Sequence, residues 1–222
     1  MILRVLGKYG PYPAAGGACS CYLVEEGGTR ILLDFGAGAL AKWQGLADRT
    51  APDAIVLSHL HYDHCSDMGV LSYMAGATIP VYAPQATLDS EFSIPHVPKF
   101  AITSIRDGMC AAIGALNLRF FLTRHPVPCY GMTIENKAGN RLVYTADTTW
   151  FDGLAELVYD ADLALVDACM RGPHLCAEDL RRLAPKRVLV THIHPDLTDA
   201  QALAELGHPA AEIAVEGKQY IV

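Results

Sequence analysis

Ser58-His59-Leu60-His61-Tyr62-Asp63-His64 follows directly on the apolar run Ala54-Ile55-Val56-Leu57. Four metal-ligating side chains, His59, His61, Asp63 and His64, fall within six residues. In an extended segment His59 and His61, two apart, point the same way. Asp63 and His64 follow where the chain turns, and can bend back towards the same point. On a helix, at about 100° per residue, the four side chains scatter round most of the cylinder. Convergence therefore requires a strand that runs out into a loop. Three of the nine histidines of the chain lie in this stretch, a density that favours a metal site over a polar surface loop. Imidazole and carboxylate without thiolate suit zinc, manganese or iron(II).

The pattern His-x-His-x-Asp-His resembles the signature of the metallo-β-lactamase fold superfamily, and the resemblance runs along nearly the whole chain. Leu32-Leu33-Asp34-Phe35-Gly36-Ala37-Gly38 resembles the second signature of that superfamily. There Asp34 is structural, holding the metal loop by hydrogen bonds. The fold so implied is α/β: a four-layer αββα sandwich of two mixed β-sheets flanked by helices, with residues 1–222 as a single hydrolase domain.

Composition agrees. The chain of 222 residues is 51% hydrophobic and 18% charged, as a globular protein with a large core requires. Its formal charge is −7, with no Lys/Arg run, which argues against a general polyanion-binding surface because nucleic-acid affinity rests on phosphate neutralisation. No charged start precedes an apolar segment, and no apolar run is long enough to span a bilayer. Seven cysteines, an odd count with no Cys-x-x-Cys pair, read as reduced thiols of a cytoplasmic protein. Cys19 and Cys21, alternating along a strand, read as small buried residues.

Along the chain, Met1–Gly7 reads as a strand and Lys8–Gly17 as a loop. Tyr22–Val24 and Arg30–Asp34 form a hairpin through Glu25–Thr29, and a helix lies near Ala39–Leu46. Asp67–Met74 is helical. Asp67 has two readings: a brace for a metal histidine, or a helix N-terminal acid favoured by the dipole. After a strand at Ile79–Ala83, residues 84–104, interrupted by Pro84, Pro95 and Pro98, read as a loop or short helix over the site. His96 there reads as a surface histidine. Further strands are expected at Leu116–Leu122, up to Ile134, at Arg141–Thr145, Ala161–Asp167 and Arg187–His192. Helices are expected at Leu154–Tyr159, Ala177–Leu183 and Ala200–Leu206. Ile213–Val215 and Tyr220–Val222 close the sheet.

Three of these strands deliver His125, Asp147 and His192 to loops, and sites in layered α/β folds gather at such strand ends. The resemblance supplies their roles. His59, His61 and His125 match one metal site, Asp63, His64 and His192 a second, and Asp147 the carboxylate shared by both. Two divalent cations, zinc first with manganese or iron as alternatives, would sit ~3.5–4 Å apart and share a hydroxide. An aspartate at 147, where β-lactamases of this fold carry cysteine, points to phosphodiesters, thioesters or lactones.

His125-Pro126-Val127-Pro128-Cys129-Tyr130-Gly131, Tyr144-Thr145-Ala146-Asp147-Thr148 and Thr191-His192-x-x-Pro195 resemble the tRNase Z-like branch. Asp167 and His174 match the acid and histidine of that branch, although aspartate replaces the usual glutamate. With Asp63 they are the candidates for acid–base chemistry, His174 as proton donor to the leaving group. Only 21 residues separate His125 from Asp147, which leaves no room for the tRNA-binding arm inserted there in true tRNase Z enzymes. The expectation is therefore a phosphodiesterase acting through a metal-bridging hydroxide on a small phosphodiester or nucleotide, not on tRNA and not at a membrane. A homodimer is compatible with the sequence. The alternatives are a thioester or lactone hydrolase (glyoxalase II-like or lactonase-like), and a non-catalytic metal-binding sensor domain.

Overall fold

A computed structural model describes residues 1–85, 99–168 and 172–222. The first sheet contains β1 (Ile2–Gly7), β2 (Cys21–Glu26), β3 (Thr29–Leu33), β4 (Ala54–Val56), β5 (Ile79–Pro84) and β6 (Phe100–Ile105). The second contains β7 (Cys110–Ile113), β8 (Leu116–Leu122), β9 (Tyr130–Asn136), β10 (Arg141–Tyr144), β11 (Leu163–Asp167), β12 (Val188–Thr191) and β13 (Ala211–Ile213). The chain then returns through β14 (Gln219–Ile221) to the far edge of the first sheet, so the strand orders are β14-β1-β2-β3-β4-β5-β6 and β13-β12-β11-β10-β9-β8-β7. Each sheet is mixed: β14 to β3 are antiparallel and β3 to β6 parallel; β7 to β10 are antiparallel and β10 to β13 parallel.

Three apolar cores make this a four-layer structure. Leu3, Tyr22, Val56, Phe120, Met132, Tyr144 and Leu165 pack between the sheets. Leu32, Phe35, Trp43, Ile55, Met68 and Leu71 join the first sheet to helices α1 (Ala39–Gln44) and α3 (Asp67–Met74). Val143, Leu154, Val166, Leu180, Val190 and Leu206 join the second sheet to α4 (Leu154–Val158), α5 (Ala177–Leu180) and α6 (Asp199–Leu206). Sheets buried on both faces need near-continuous apolar strands, and Leu-Ala-Leu-Val in β11 and Val-Leu-Val in β12 meet that need. The β2–β3 hairpin turns on Gly27 and Gly28, at φ 53° and 86°. Two successive positive φ values match the twist of the flanking strands at little cost only in glycine.

The expected αββα sandwich is present, and the structure corrects several local expectations. Phe100–Ile105, read as part of a loop over the site, is β6, paired in parallel with β5. The remainder of that loop, residues 86–98 with His96, lies outside the described residues. The two C-terminal segments do not close one sheet: β13 edges the second sheet and β14 pairs with β1 of the first. The strand β7 went unread because Cys-Ala-Ala-Ile carries little β signal. Asp63 and His64 lie on a single helical turn, α2 (Tyr62–Cys65), with extended backbone at His61 before it. Among the described residues, Asp67 braces no histidine. Its Oδ2 accepts from Leu40 N at 2.9 Å, holding the start of α1.

Candidate metal centre

The site forms along one rim, where the carboxyl ends of β3, β4, β10, β11 and β12 open into loops. Neighbouring parallel strands end at the same level, so residues just past them converge. Asp34 follows β3, Ser58 and His59 follow β4, His125 follows β8, Asp147 follows β10, Asp167 ends β11 and His192 follows β12. Backbone bonds sew the rim together across both sheets: Ile193 N donates to Lys8 O (2.8 Å), Gly10 N to Ile193 O (3.2 Å) and Tyr130 N to Ser58 O (3.0 Å).

The chain is bent hard here. Asp34, Ala146 and His192 adopt left-handed conformations, with φ of 55°, 52° and 58°. Such backbone costs roughly 1–3 kcal/mol per residue and persists where surrounding contacts over-determine it. Ala146 turns the chain so that Asp147 enters the site, and His192 is itself a site residue.

His59 Nε2, His61 Nδ1 and His125 Nε2 draw together: His61 Nδ1 lies 3.0 Å from the first and 3.1 Å from the last. Beside them, Asp63 Oδ2 lies 3.0 Å from His192 Nε2 and 3.6 Å from His64 Nε2. Asp147 stands between the groups. Its Oδ2 is 3.8 Å from His59 Nε2 and 3.4 Å from His192 Nε2, and its Oδ1 is 3.2 Å from His64 Nε2. The structure thus brings together all seven side chains that the sequence singled out. Their ligand atoms form three sets, His59/His61/His125, His59/His64/Asp147 and Asp63/His64/His192, each within 4.8 Å of one another.

The donor chemistry fits cations. His59 and His64 are held from behind by their Nδ1 atoms, at Ser58 Oγ (3.0 Å) and Asp34 Oδ2 (2.8 Å). That leaves Nε2 of each ring as the atom offered to the cleft, the arrangement metal-bound histidines need. Among the described residues, His64 Nε2 and Asp147 Oδ1 are buried and face each other at 3.2 Å without a well-aligned hydrogen bond to any group. Orphaned buried polar atoms are costly, and a cation satisfies both. Burial holds the His59 and His61 imidazoles below their usual protonation range and lowers His125 to about 4, so these rings keep their lone pairs. Burial opposes charge on His64 as well, but Asp147, Asp63 and Asp34 outweigh it and raise that ring.

His174 adjoins the centre without belonging to the seven. Its Nδ1 lies 2.6 Å from Asp167 Oδ2, and its ring stands 4.9 Å from that of His192 and 6.3 Å from that of His125. Burial, then the charge of Asp147, raises the Asp167 carboxyl. Asp147, Asp167, His174 and His192 also lie close enough to hold a cation. There, however, Asp167 Oδ2 already accepts from His174 and from Thr148 N (3.2 Å).

Two participants escaped sequence reasoning. A Cβ on Gly10 would lie 2.0 Å from His192 Nε2, so only glycine lets the loop pass the ring. Tyr144 reaches Asp34 from the opposite sheet, its Oη 2.6 Å from Oδ2. Gly10-Pro11 is a turn signal without an address, and Tyr144 stands in a strand like any core aromatic.

Fold and side-chain set together define a metallo-hydrolase of the β-lactamase fold. The chain belongs to the β-lactamase superfamily, whose domain model matches residues 29–205. It is 33% identical over 178 residues to a probable metallo-hydrolase, YhfI, of Bacillus subtilis, covering 76% of this chain and 72% of that one. The crystal structure of YhfI superposes with a TM-score of 0.88 at 25% identity over 99% of both chains. Ribonuclease Z of Methanopyrus kandleri is 29% identical over 141 residues, 61% of this chain and 50% of that one. A diphosphatase of the PhnP family shares the fold at a TM-score of 0.74 and 21% identity, over 100% of this chain and 97% of that one. Among the described residues, no helix is long and apolar enough to cross a membrane.

Proposed function

We propose that the protein is a phosphodiesterase that binds two divalent cations, zinc first, and acts on a small phosphodiester or nucleotide. His59, His61 and His125 would hold one cation and Asp63, His64 and His192 the other, with Asp147 offering an oxygen to each. Cations bound there supply an activated water and charge neutralisation at the phosphoryl oxygens. The ribonuclease Z and diphosphatase likenesses support a phosphorus centre.

The observation that carries this reading is the Asp167–His174 pair beside the seven ligands. A phosphodiester releases an alkoxide, which needs a proton in the transition state, and a thiolate leaving group needs none. With Nδ1 held by Asp167, His174 keeps Nε2 for that proton transfer, the general-acid role. Asp63, with its Oδ2 at the second ligand set, also accepts a hydrogen bond from the attacking water. Ser58 and Asp34 keep His59 and His64 in the required tautomers.

Elemental analysis of the purified protein, with bis-p-nitrophenyl phosphate and a thioester assayed side by side, tests the reading. Two metal equivalents with phosphodiester turnover well above thioester turnover are expected. Preference for the thioester or a lactone would move the protein to the carboxyl-ester branch. Full metal loading with no hydrolysis of either would favour a sensor domain.

A further inference from the structure

We propose that Tyr144, acting through Asp34 and Ser58, is a positioning residue for both ligand groups. The inference rests on the metal-centre half of the reading above and is independent of the substrate. Asp34 is where the two groups meet behind the site. Its Oδ2 accepts from Tyr144 Oη (2.6 Å), Ser58 Oγ (2.9 Å) and His64 Nδ1 (2.8 Å), while its Oδ1 accepts from Ser58 N (2.7 Å). Ser58 Oγ donates its proton to Asp34, so it meets His59 Nδ1 at 3.0 Å as an acceptor. One carboxylate therefore braces His64 directly and His59 through one hydroxyl.

Asp34, Ser58, His59, His64 and Tyr144 are all buried, so bulk solvent does not reach the position of a missing donor. Asp34 also sits at φ 55°, a conformation that holds only while its contacts fix it. Ser58 and His64 both belong to the segment that Asp34 braces. Tyr144 is the one side chain among these that reaches in from the second sheet, and it ties the hub to the strand that delivers Asp147, three residues on. Groups bonded directly to metal-bound histidines, here Asp34 and Ser58, typically carry about 10–100-fold in metal affinity, and Tyr144 acts through both.

Tyr22 provides the control. Its Oη lies 2.7 Å from Thr191 Oγ1, also linking the two sheets, and its ring meets that of Tyr144 edge-on at 5.3 Å. It is equally buried but bonds neither Asp34 nor Ser58. The experiment is a cobalt(II) titration, followed by visible absorbance, of the chelator-treated full-length protein and its Tyr144→Phe and Tyr22→Phe variants, with folding checked by circular dichroism.

Tyr144→Phe is expected to fold and to bind cobalt about 10–100-fold more weakly at both positions, while Tyr22→Phe keeps wild-type affinity. Wild-type affinity in Tyr144→Phe, or an equal loss in Tyr22→Phe, overturns the proposal. Should Tyr144→Phe fail to fold, Ser58→Ala, which removes the acceptor for His59 and one donor to Asp34 but leaves the direct Asp34–His64 bond in place, is expected to weaken the cobalt equivalent at His59 tenfold or more. Unchanged binding in that variant overturns the proposal too. Failure of the wild-type protein to bind cobalt would instead remove the metal centre itself.

Discussion

Asp167 Oδ2 and His174 Nδ1 lie 2.6 Å apart although six residues separate them, and the same carboxylate places Oδ1 3.4 Å from His192 Nδ1. The side chain is one methylene shorter than the glutamate of the tRNase Z-like pattern, yet from the end of β11 it reaches the histidine. Because His174 lies outside the three sets formed by the seven ligands, its loss should separate chemistry from metal binding. His174→Ala is expected to keep wild-type metal content by elemental analysis and to lose turnover of a phosphodiester with an alkoxide leaving group by about 10²–10⁴-fold, the general-acid range, with a smaller loss on bis-p-nitrophenyl phosphate, whose phenolate needs no proton. Full turnover in that variant would remove it from the mechanism.

Gly10 and His192 make a second close pair. A methyl group on Gly10 would sit 2.0 Å from Nε2 and 2.2 Å from Cε1 of the ring. The ring has nowhere to go, since His192 is buried and its backbone is held at φ 58°. Gly10→Ala is therefore expected to push the Lys8–Gly10 loop or the ring off position. A misplacement of this size costs on the order of 10²-fold in rate. Metal content measured alongside turnover should fall by one equivalent; wild-type values for both would show that the loop yields freely.

What the sequence could show of this centre follows from range. His59, His61, Asp63 and His64 announce themselves by local spacing. His125, Asp147 and His192 share only a position after an apolar strand, and it took the superfamily pattern to join them. Asp34 was legible as a brace because it lies in the second signature, but its partner Tyr144 is 110 residues away and looks like any core aromatic. Gly10 carries no signal of the ring it must clear. Among the elements, buried strands such as β11 and β12 read clearly from continuous apolar runs. The edge strand β6 (Phe-Ala-Ile-Thr-Ser-Ile) was masked by the prolines that precede it, and the edge strand β7 has too weak a β preference to stand out.

Asp147 is the residue on which both ligand groups lean, with oxygens facing His59, His64 and His192. Asp147→Ala is expected to release metal and abolish phosphodiester turnover together, as is His61→Ala. The apolar cores between and outside the sheets contain neither residue, so circular dichroism should stay near wild type. Retention of both metal equivalents in Asp147→Ala would contradict the shared-carboxylate role.

The pKa directions fix how the metal-free protein responds to acid. His59, His61 and His125 are lowered by burial, His125 from 6.5 to about 4. Between pH 6.5 and 4 the unfolded chain therefore takes up protons at these positions that the folded protein refuses, and stability must fall with pH. His64 has the opposite shift, raised by Asp147, Asp63 and Asp34 against burial. Its contribution is fully present below pH 6.5 and is lost only as pH rises through its folded value, so it does not offset the loss in this window. Asp63 and Asp147, held low by their histidine neighbours against burial, add to the loss as pH drops further. Asp167, raised by burial, opposes it, one group against five. The urea midpoint of the chelator-treated protein should thus decline steadily from pH 6.5 to 4, and His125→Gln should flatten the slope. A midpoint that holds constant or climbs over that range would mean that the three rings do not stay neutral in the folded protein.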